Sequence, residues 1–264
     1  MVRPCGIAPR NSTAPATRCS WRSRRCWGGW PASWAGALPA AAGGPPPPPP
    51  PAPAAGQGAP LAPFFHRALF GRAGETVGVL NIGGISNLSL LRADGSMLGF
   101  DCGPGNALMD AWCLRHLGRA YDDRGAWAAG AAPDAALLQA LLSEPFFAKA
   151  PPKSTGRDLF NEPWLQQRLA AFASLSSQVV QSTLAELTAR ACAGEVLRHE
   201  PKLGRLIVCG GGALNDHLMS RLQALLPAAQ VVSSAQAGLP PLEVEATAFA
   251  CLARKAVLRE KLEL

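Results

Sequence analysis

Two glycine-rich corners and one carboxylate carry the chemistry this sequence could do. Asp101 leaves an apolar strand-like run and is followed by Gly103-Pro104-Gly105-Asn106, a rigid turn ahead of a helical stretch. A carboxylate so placed can take a proton from a hydroxyl attacking a phosphate, the base role in phosphoryl transfer. Asp is also a common helix N-cap, and spacing alone leaves both readings open. Gly83-Gly84 follows the apolar run Val77–Ile82. Without a Cβ in the way, its backbone N–H groups can approach an anion, but a strand followed by two glycines is frequent in α/β proteins. Gly210-Gly211-Gly212, between Leu206-Ile207-Val208-Cys209 and Asn215, is the stronger signal. Three glycines at a strand–helix junction cost stability unless something must come close, and they set a helix N-terminus against a nucleotide.

Other polar residues admit two readings each. Lys153, Ser154, Thr155 and Arg157 lie in Pro151–Asp158, a surface loop dense in donors. It suits a ligand with many hydroxyls or a carboxylate, or it is simply a solvated loop. Glu245 is either a favourable charge at a helix start or a group pointing into a cleft. His66, beside Phe64 and Phe65, reads as a structural residue before a catalytic one. Of the eight cysteines none forms a CxxC pair, so neither zinc nor redox chemistry is indicated and no metal ligand set is expected. Cys192, Cys209 and Cys251 read as small core residues, which implies a reducing compartment.

The elements that must hold these groups follow from pattern. Val77–Ile82, Ile85–Leu91 and Met97–Phe100, joined by Gly83-Gly84 and Asp94-Gly95, predict a three-stranded meander with Asp101 at its exit. Helices are expected over 107–117, 126–129, 134–142 and 243–262, with two more between Trp164 and His199. Positions 180, 184, 187 and 191 give the last of those two an apolar face. Leu206–Cys209 predicts a buried strand, Val231-Val232 an edge strand, and a helix ends at Leu225.

Composition divides the chain unevenly. Of the net charge of +7, residues 1–54 hold +6, with six arginines and no acidic residue. They also contain Trp21, Trp27, Trp30, Trp34, three cysteines and the run Pro45–Pro51, a mix to which neither helix nor strand can be assigned. Such text fits a signal or transit peptide poorly, and a nucleic-acid-binding tail is a weaker reading than a frameshifted start of a GC-rich gene. Residues 1–55 are therefore expected to be a disordered tail and 56–264 the folded domain. No run of 18 apolar residues free of charge occurs, so no membrane span is expected.

From Gly56 to about Ala256 the chain resembles the anhydro-N-acetylmuramic acid kinases. The matching stretches are GQGAPLAPFFH (56–66), LNIGGISNLSLL (80–91), GFDCGPGNALMDAWC (99–113), YDDRGAWAA (121–129), PPKSTGRDLF (151–160), TLAELTA (183–189), VCGGGALNDHLM (208–219) and VEATAFACLA (244–253), in family order. The resemblance implies an actin-like (ribonuclease H-like) α/β ATPase lobe with a mixed sheet flanked by helices. It implies a cytoplasmic enzyme that opens the 1,6-anhydro ring of anhydro-N-acetylmuramic acid and phosphorylates its 6-oxygen with ATP and Mg²⁺, in cell-wall recycling. Asp101 matches the base that activates water, Gly210, Gly211, Gly212 and Asn215 the nucleotide loop, and Gly83 and Gly84 a phosphate-proximal loop. Glu245 matches a sugar-cleft residue, and Lys153, Ser154 and Arg157 a loop near the substrate. The partners expected are an amino sugar and a second copy of the chain, with neither nucleic acid nor membrane. The family's Gly-Thr-Ser-x-Asp-Gly phosphate hairpin and its His-Gly-Gln segment do not occur in this sequence, so the chain as written is expected to be inactive. A non-catalytic actin-like lobe that binds a nucleotide or partner is the alternative.

Overall fold

A computed structural model describes residues 62–259. The expectations for residues 1–61 fall outside that range; within it the last helix, expected to run to Leu262, ends at Val257, with Leu258 and Arg259 in a turn. The described chain builds one five-stranded sheet in the order β3-β2-β1-β4-β5: β1 Val77–Ile82, β2 Ile85–Leu91, β3 Met97–Pro104, β4 Arg205–Cys209 and β5 Gln230–Ser233. Strand β2 runs antiparallel to both neighbours, while β1–β4 and β4–β5 are parallel. Four of the five strands therefore end on one edge of the sheet, where ligands of open α/β sheets bind.

The alternation of β1 and β2 sorts their side chains between two faces. Leu80, Ile82, Leu88, Leu90, Phe100, Leu206 and Val208 pack with α6 Ser177–His199 into the larger core. Val77, Val79, Leu91, Ile207 and Val232 face the other way, joining Phe65 and Phe70 of α1 Ala62–Phe70 and Val244 of α8 Val244–Val257. Helices α2 Ala107–Leu117, α3 Ala126–Ala129, α4 Ala135–Leu142, α5 Glu162–Leu169 and α7 Asp216–Leu225 complete the layers.

Three expectations change at this level. Strand β3 does not end at Phe100 but runs on to Pro104 through an irregularity: Asn87 pairs with Asp101 and Ser86 with Gly103, leaving Cys102 as an extra residue. Asp101 therefore sits inside a strand beside a bulge, a device that re-aims side chains. It is no helix cap, and Asn106 stands at that position of α2 instead. Helix α6 is not one-sided but buried nearly all round, because the sheet lies on one side and α3, α4 and α7 on the others. The glycine triplet does not open an α-helix: Gly211–Leu214 is a short 3₁₀ turn, and α7 begins at Asp216 with Asn215 as its cap.

Candidate active site

Pairing across three strands lays Asp101, Asn87 and Asn81 in one row, Asp101 opposite Asn87 and Asn87 opposite Asn81, on the face toward α1 and α8. Side chains in a cross-strand row stand about 5 Å apart, close enough to meet one ligand. Above this row lies a cavity of about 460 Å³ with Asp101, Asn87, Asn81 and Ser154 on its floor. Ala62 and His66 of α1, and Val244, Glu245, Ala248, Phe249 and Leu252 of α8, wall it.

The carboxylate of Asp101 is held from one side. Its Oδ2 accepts from Ser154 Oγ and from the Thr155 N–H, both at 2.9 Å, while its own backbone N–H donates to Lys153 O at 3.2 Å. Among the described residues Oδ1 accepts no such bond, which leaves one oxygen of a cavity-lining carboxylate unpaired. The 153–155 loop is itself anchored inward. Lys153 is a correction to the expected surface loop: its side chain is 2% exposed, its Nζ is 2.9 Å from Glu195 Oε1 of α6 and 4.7 Å from the ring centroid of Phe146. A lysine buried that deeply needs a charge partner, and Glu195 supplies one. Its ammonium therefore does not line the cavity, and Lys153 meets the site through its carbonyl.

Of the remaining expected residues, Gly211, Asn215 and Arg157 line two neighbouring hollows, while Gly83, Gly84, Gly210 and Gly212 line neither. Gly211 and Asn215 line a cavity of about 340 Å³ with Asn106, Asp110, Tyr121 and Asp122, flanked by the exposed Leu214 and Leu242. Asn215 also caps α7 through Oδ1, accepting from Leu218 N at 2.9 Å. Arg157 lines a third hollow, with Asp110 and Glu162, and lies against Gly84, where a Cβ would come 2.8 Å from a guanidinium nitrogen. Neither Arg157 nor the triplet lines the Asp101 cavity. Gly83 and Gly84 accept backbone bonds from Asn106, Gly105 and Ala107, so their carbonyls pin the turn into α2.

Asn81 stands between the Asp101 cavity and the first glycine of the triplet. It lines the former, and its Oδ1 lies 2.6 Å from where a Cβ on Gly210 would stand. The Gly210 N–H donates to Pro241 O, fixing the triplet to the turn that leads into α8 and Glu245. Burial pushes the Cys209 thiol up to about 12, with the Glu245 carboxylate adding to the effect, so this thiol is inert at neutral pH. Asn81, Asn87 and His66 were not singled out for a ligand by sequence reasoning. Two half-buried amides within β1 and β2 were the available signal, because polar side chains withdrawn from water need partners.

A family model, anhydro-N-acetylmuramic acid kinase, matches residues 52–260. The chain belongs to the anhydro-N-acetylmuramic acid kinase family. An anhydro-N-acetylmuramic acid kinase of Variovorax paradoxus is 58% identical over 212 residues, covering 78% of this chain and 56% of the relative. One of Albidiferax ferrireducens is 54% identical over 227 residues, covering 78% and 58%. The chain thus spans little more than half the length of the curated relatives it matches. Among solved structures, the activator of 2-hydroxyisocaproyl-CoA dehydratase from Clostridium difficile with bound ADPNP aligns at TM-score 0.44 and 10% identity, covering 77% of this chain and 69% of that one.

Proposed function

We propose that this chain supplies the substrate-activating lobe of a two-lobed, actin-like anhydro-N-acetylmuramic acid kinase, with Asp101 as its general base. The observation that carries the reading is the half-tethered carboxylate: Oδ2 takes two hydrogen bonds, Oδ1 takes none among the described residues, and Asp101 lines a cavity that Glu245 shares. A base needs one oxygen fixed and the other within reach of the proton it removes. Asp101 Oδ1 takes a proton from a water that adds to the anomeric carbon of the anhydro sugar. The bond from that carbon to O6 breaks, and Glu245 and the amides of Asn81 and Asn87 orient the sugar's hydroxyls. ATP with Mg²⁺ supplies the γ-phosphoryl group that the freed O6 accepts, its bond to the bridging oxygen breaking as ADP leaves.

The nucleotide reading falls on the hollow at Gly211 and Asn215. Leu214 and Leu242 offer apolar surface to a purine, and Asn106 and Asn215 offer amides to a ribose. The glycines themselves answer to the chain's own packing, since a Cβ on Gly212 would lie 2.5 Å from Ile82. Among the described residues no group of three or more His, Cys, Asp or Glu could hold a metal ion, so Mg²⁺ would arrive on the phosphates. Phe249 and Val257, exposed along α8, and Leu258 just past its end offer apolar area to the homodimer that this reading carries. Chemistry that consumes ATP fits the cytoplasm, and among the described residues no helix is long and apolar enough to cross a membrane.

Turnover is expected only when this chain is joined to the remaining length of a family relative. In that setting Asp101→Asn should lower kcat by about 10²- to 10⁴-fold while the sugar still binds. Unchanged kcat in the variant would remove the assignment. Ordinary turnover by the 264-residue chain alone would overturn the lobe reading but keep the enzyme.

A further inference from the structure

His66 is the residue of this cavity that the reaction described above does not use. Its ring is 4% exposed, between Phe65 and Phe70, with centroids 6.2 and 6.3 Å away. Nδ1 lies 2.9 Å from Ser89 Oγ, a hydroxyl that is itself buried and stands two residues along β2 from Asn87, on the same sheet face. Among the described residues Nε2 has no protein partner, and the ring lines the cavity that holds Asp101 and Glu245. Ser89 answers one ring nitrogen, and the other, without a protein partner among the described residues and on a ring that lines the cavity, is placed to bond a polar group of a ligand.

We infer that His66 Nε2 is a ligand contact: it hydrogen-bonds an uncharged polar group of the substrate, a sugar hydroxyl or the acetamido group, with Ser89 fixing the ring. The proposal rests on the amino-sugar reading and adds to it which part of the sugar faces α1. Charge decides that part. The cavity carries the carboxylates of Asp101 and Glu245, and among the described residues no Lys or Arg lines it, with Lys153 turned inward to Glu195 and Arg157 in another hollow. A carboxylate on the ligand would meet only like charge there, whereas a neutral imidazole and two amides match hydroxyls and an amide. Burial pulls His66 down to about 4, so the ring is neutral at neutral pH and pairs with an uncharged group at no electrostatic cost.

The test uses the whole 264-residue chain and 1,6-anhydro-N-acetylmuramic acid, followed by ¹⁵N NMR of the histidine ring and by calorimetry. On saturation the Nε2 resonance should shift together with the side-chain amides of Asn81 and Asn87. His66→Phe should weaken binding about tenfold, His66→Gln less, and Ser89→Ala should weaken it through the loosened ring. If the Asn87 amide moves and Nε2 stays still, His66 is structural and the inference fails while the amino-sugar reading stands. If neither moves at saturating sugar, both fall. Should His66→Phe fail to fold, the ring resonance of the unsubstituted chain decides alone.

Discussion

His66 also reports on stability, because burial holds its ring neutral. Its pKa falls from the ordinary 6.5 to about 4, with desolvation as the cause, although the carboxylates of Asp101 and Glu245 share its cavity. Between those values the unfolded chain binds a proton that the native ring refuses, so stability rises with pH across this window. Acidification through it should remove roughly 3 kcal/mol, at about 1.4 kcal/mol per unit. Asp110 works the other way. Its carboxyl is pushed up to about 6, chiefly by burial and with Asp122 adding, against the pull of Arg157. Its share is therefore present at low pH and lost as pH rises through that value. Comparing urea midpoints of the unsubstituted chain and His66→Gln at about pH 7.5 and about pH 4.5 isolates the ring. The gap between the two proteins should shift in favour of the variant at the lower pH, and a constant gap would mean the ring titrates normally. Little of this was legible in the text. Phe64-Phe65-His66 suggested a structural histidine, and the Ser89 bond upholds part of that, but the cavity depends on an α8 nearly two hundred residues away.

At the scale of elements, the carboxylate's setting depends on a loop anchored to a helix. Glu195 of α6 receives Lys153 at 2.9 Å and Arg198 at 2.8 Å, with His199 at 3.3 Å, so the two ends of the Lys153 pair are unequal. Removing the acid leaves an ammonium with little beyond Phe146 O at 3.5 Å and two aromatic rings. Removing the lysine leaves the acid with Arg198. Glu195→Gln should therefore cost about 3–5 kcal/mol and Lys153→Met clearly less, as chemical denaturation would measure; equal losses would count against the asymmetry. The glycine corner is a second case. Gly210 adopts φ 76°, and a Cβ there would lie 2.6 Å from both Asn81 Oδ1 and Ile82 O. Gly210→Ala should cost about 1–3 kcal/mol from its glycine-only backbone conformation, and it should disturb the Asn81 amide resonance. An unperturbed melting temperature would show that the corner yields. Sequence reasoning found the strands, the corners and most helices because apolar alternation and turn residues are local signals. It placed the triplet at the head of an α-helix because nothing in three glycines distinguishes a 3₁₀ turn from the first turn of α7.

For the molecule as a whole, the meander was readable and the closing of the sheet was not. Neighbouring strands joined by Gly83-Gly84 and Asp94-Gly95 announce their pairing, but the row Asp101–Asn87–Asn81 acquires Cys209 only through β4. The bulge at Cys102 that sets Asp101 in its strand has no sequence signature apart from the polar residue itself. One consequence concerns synthesis. Asn81 and Cys209 are 128 positions apart, and β1 has β4 as its second neighbour. While the ribosome makes that intervening stretch, the first three strands stand with one flank of β1 unpaired, an open template for a stranger's strand. The nascent chain is therefore most in need of chaperone cover just before the glycine triplet emerges.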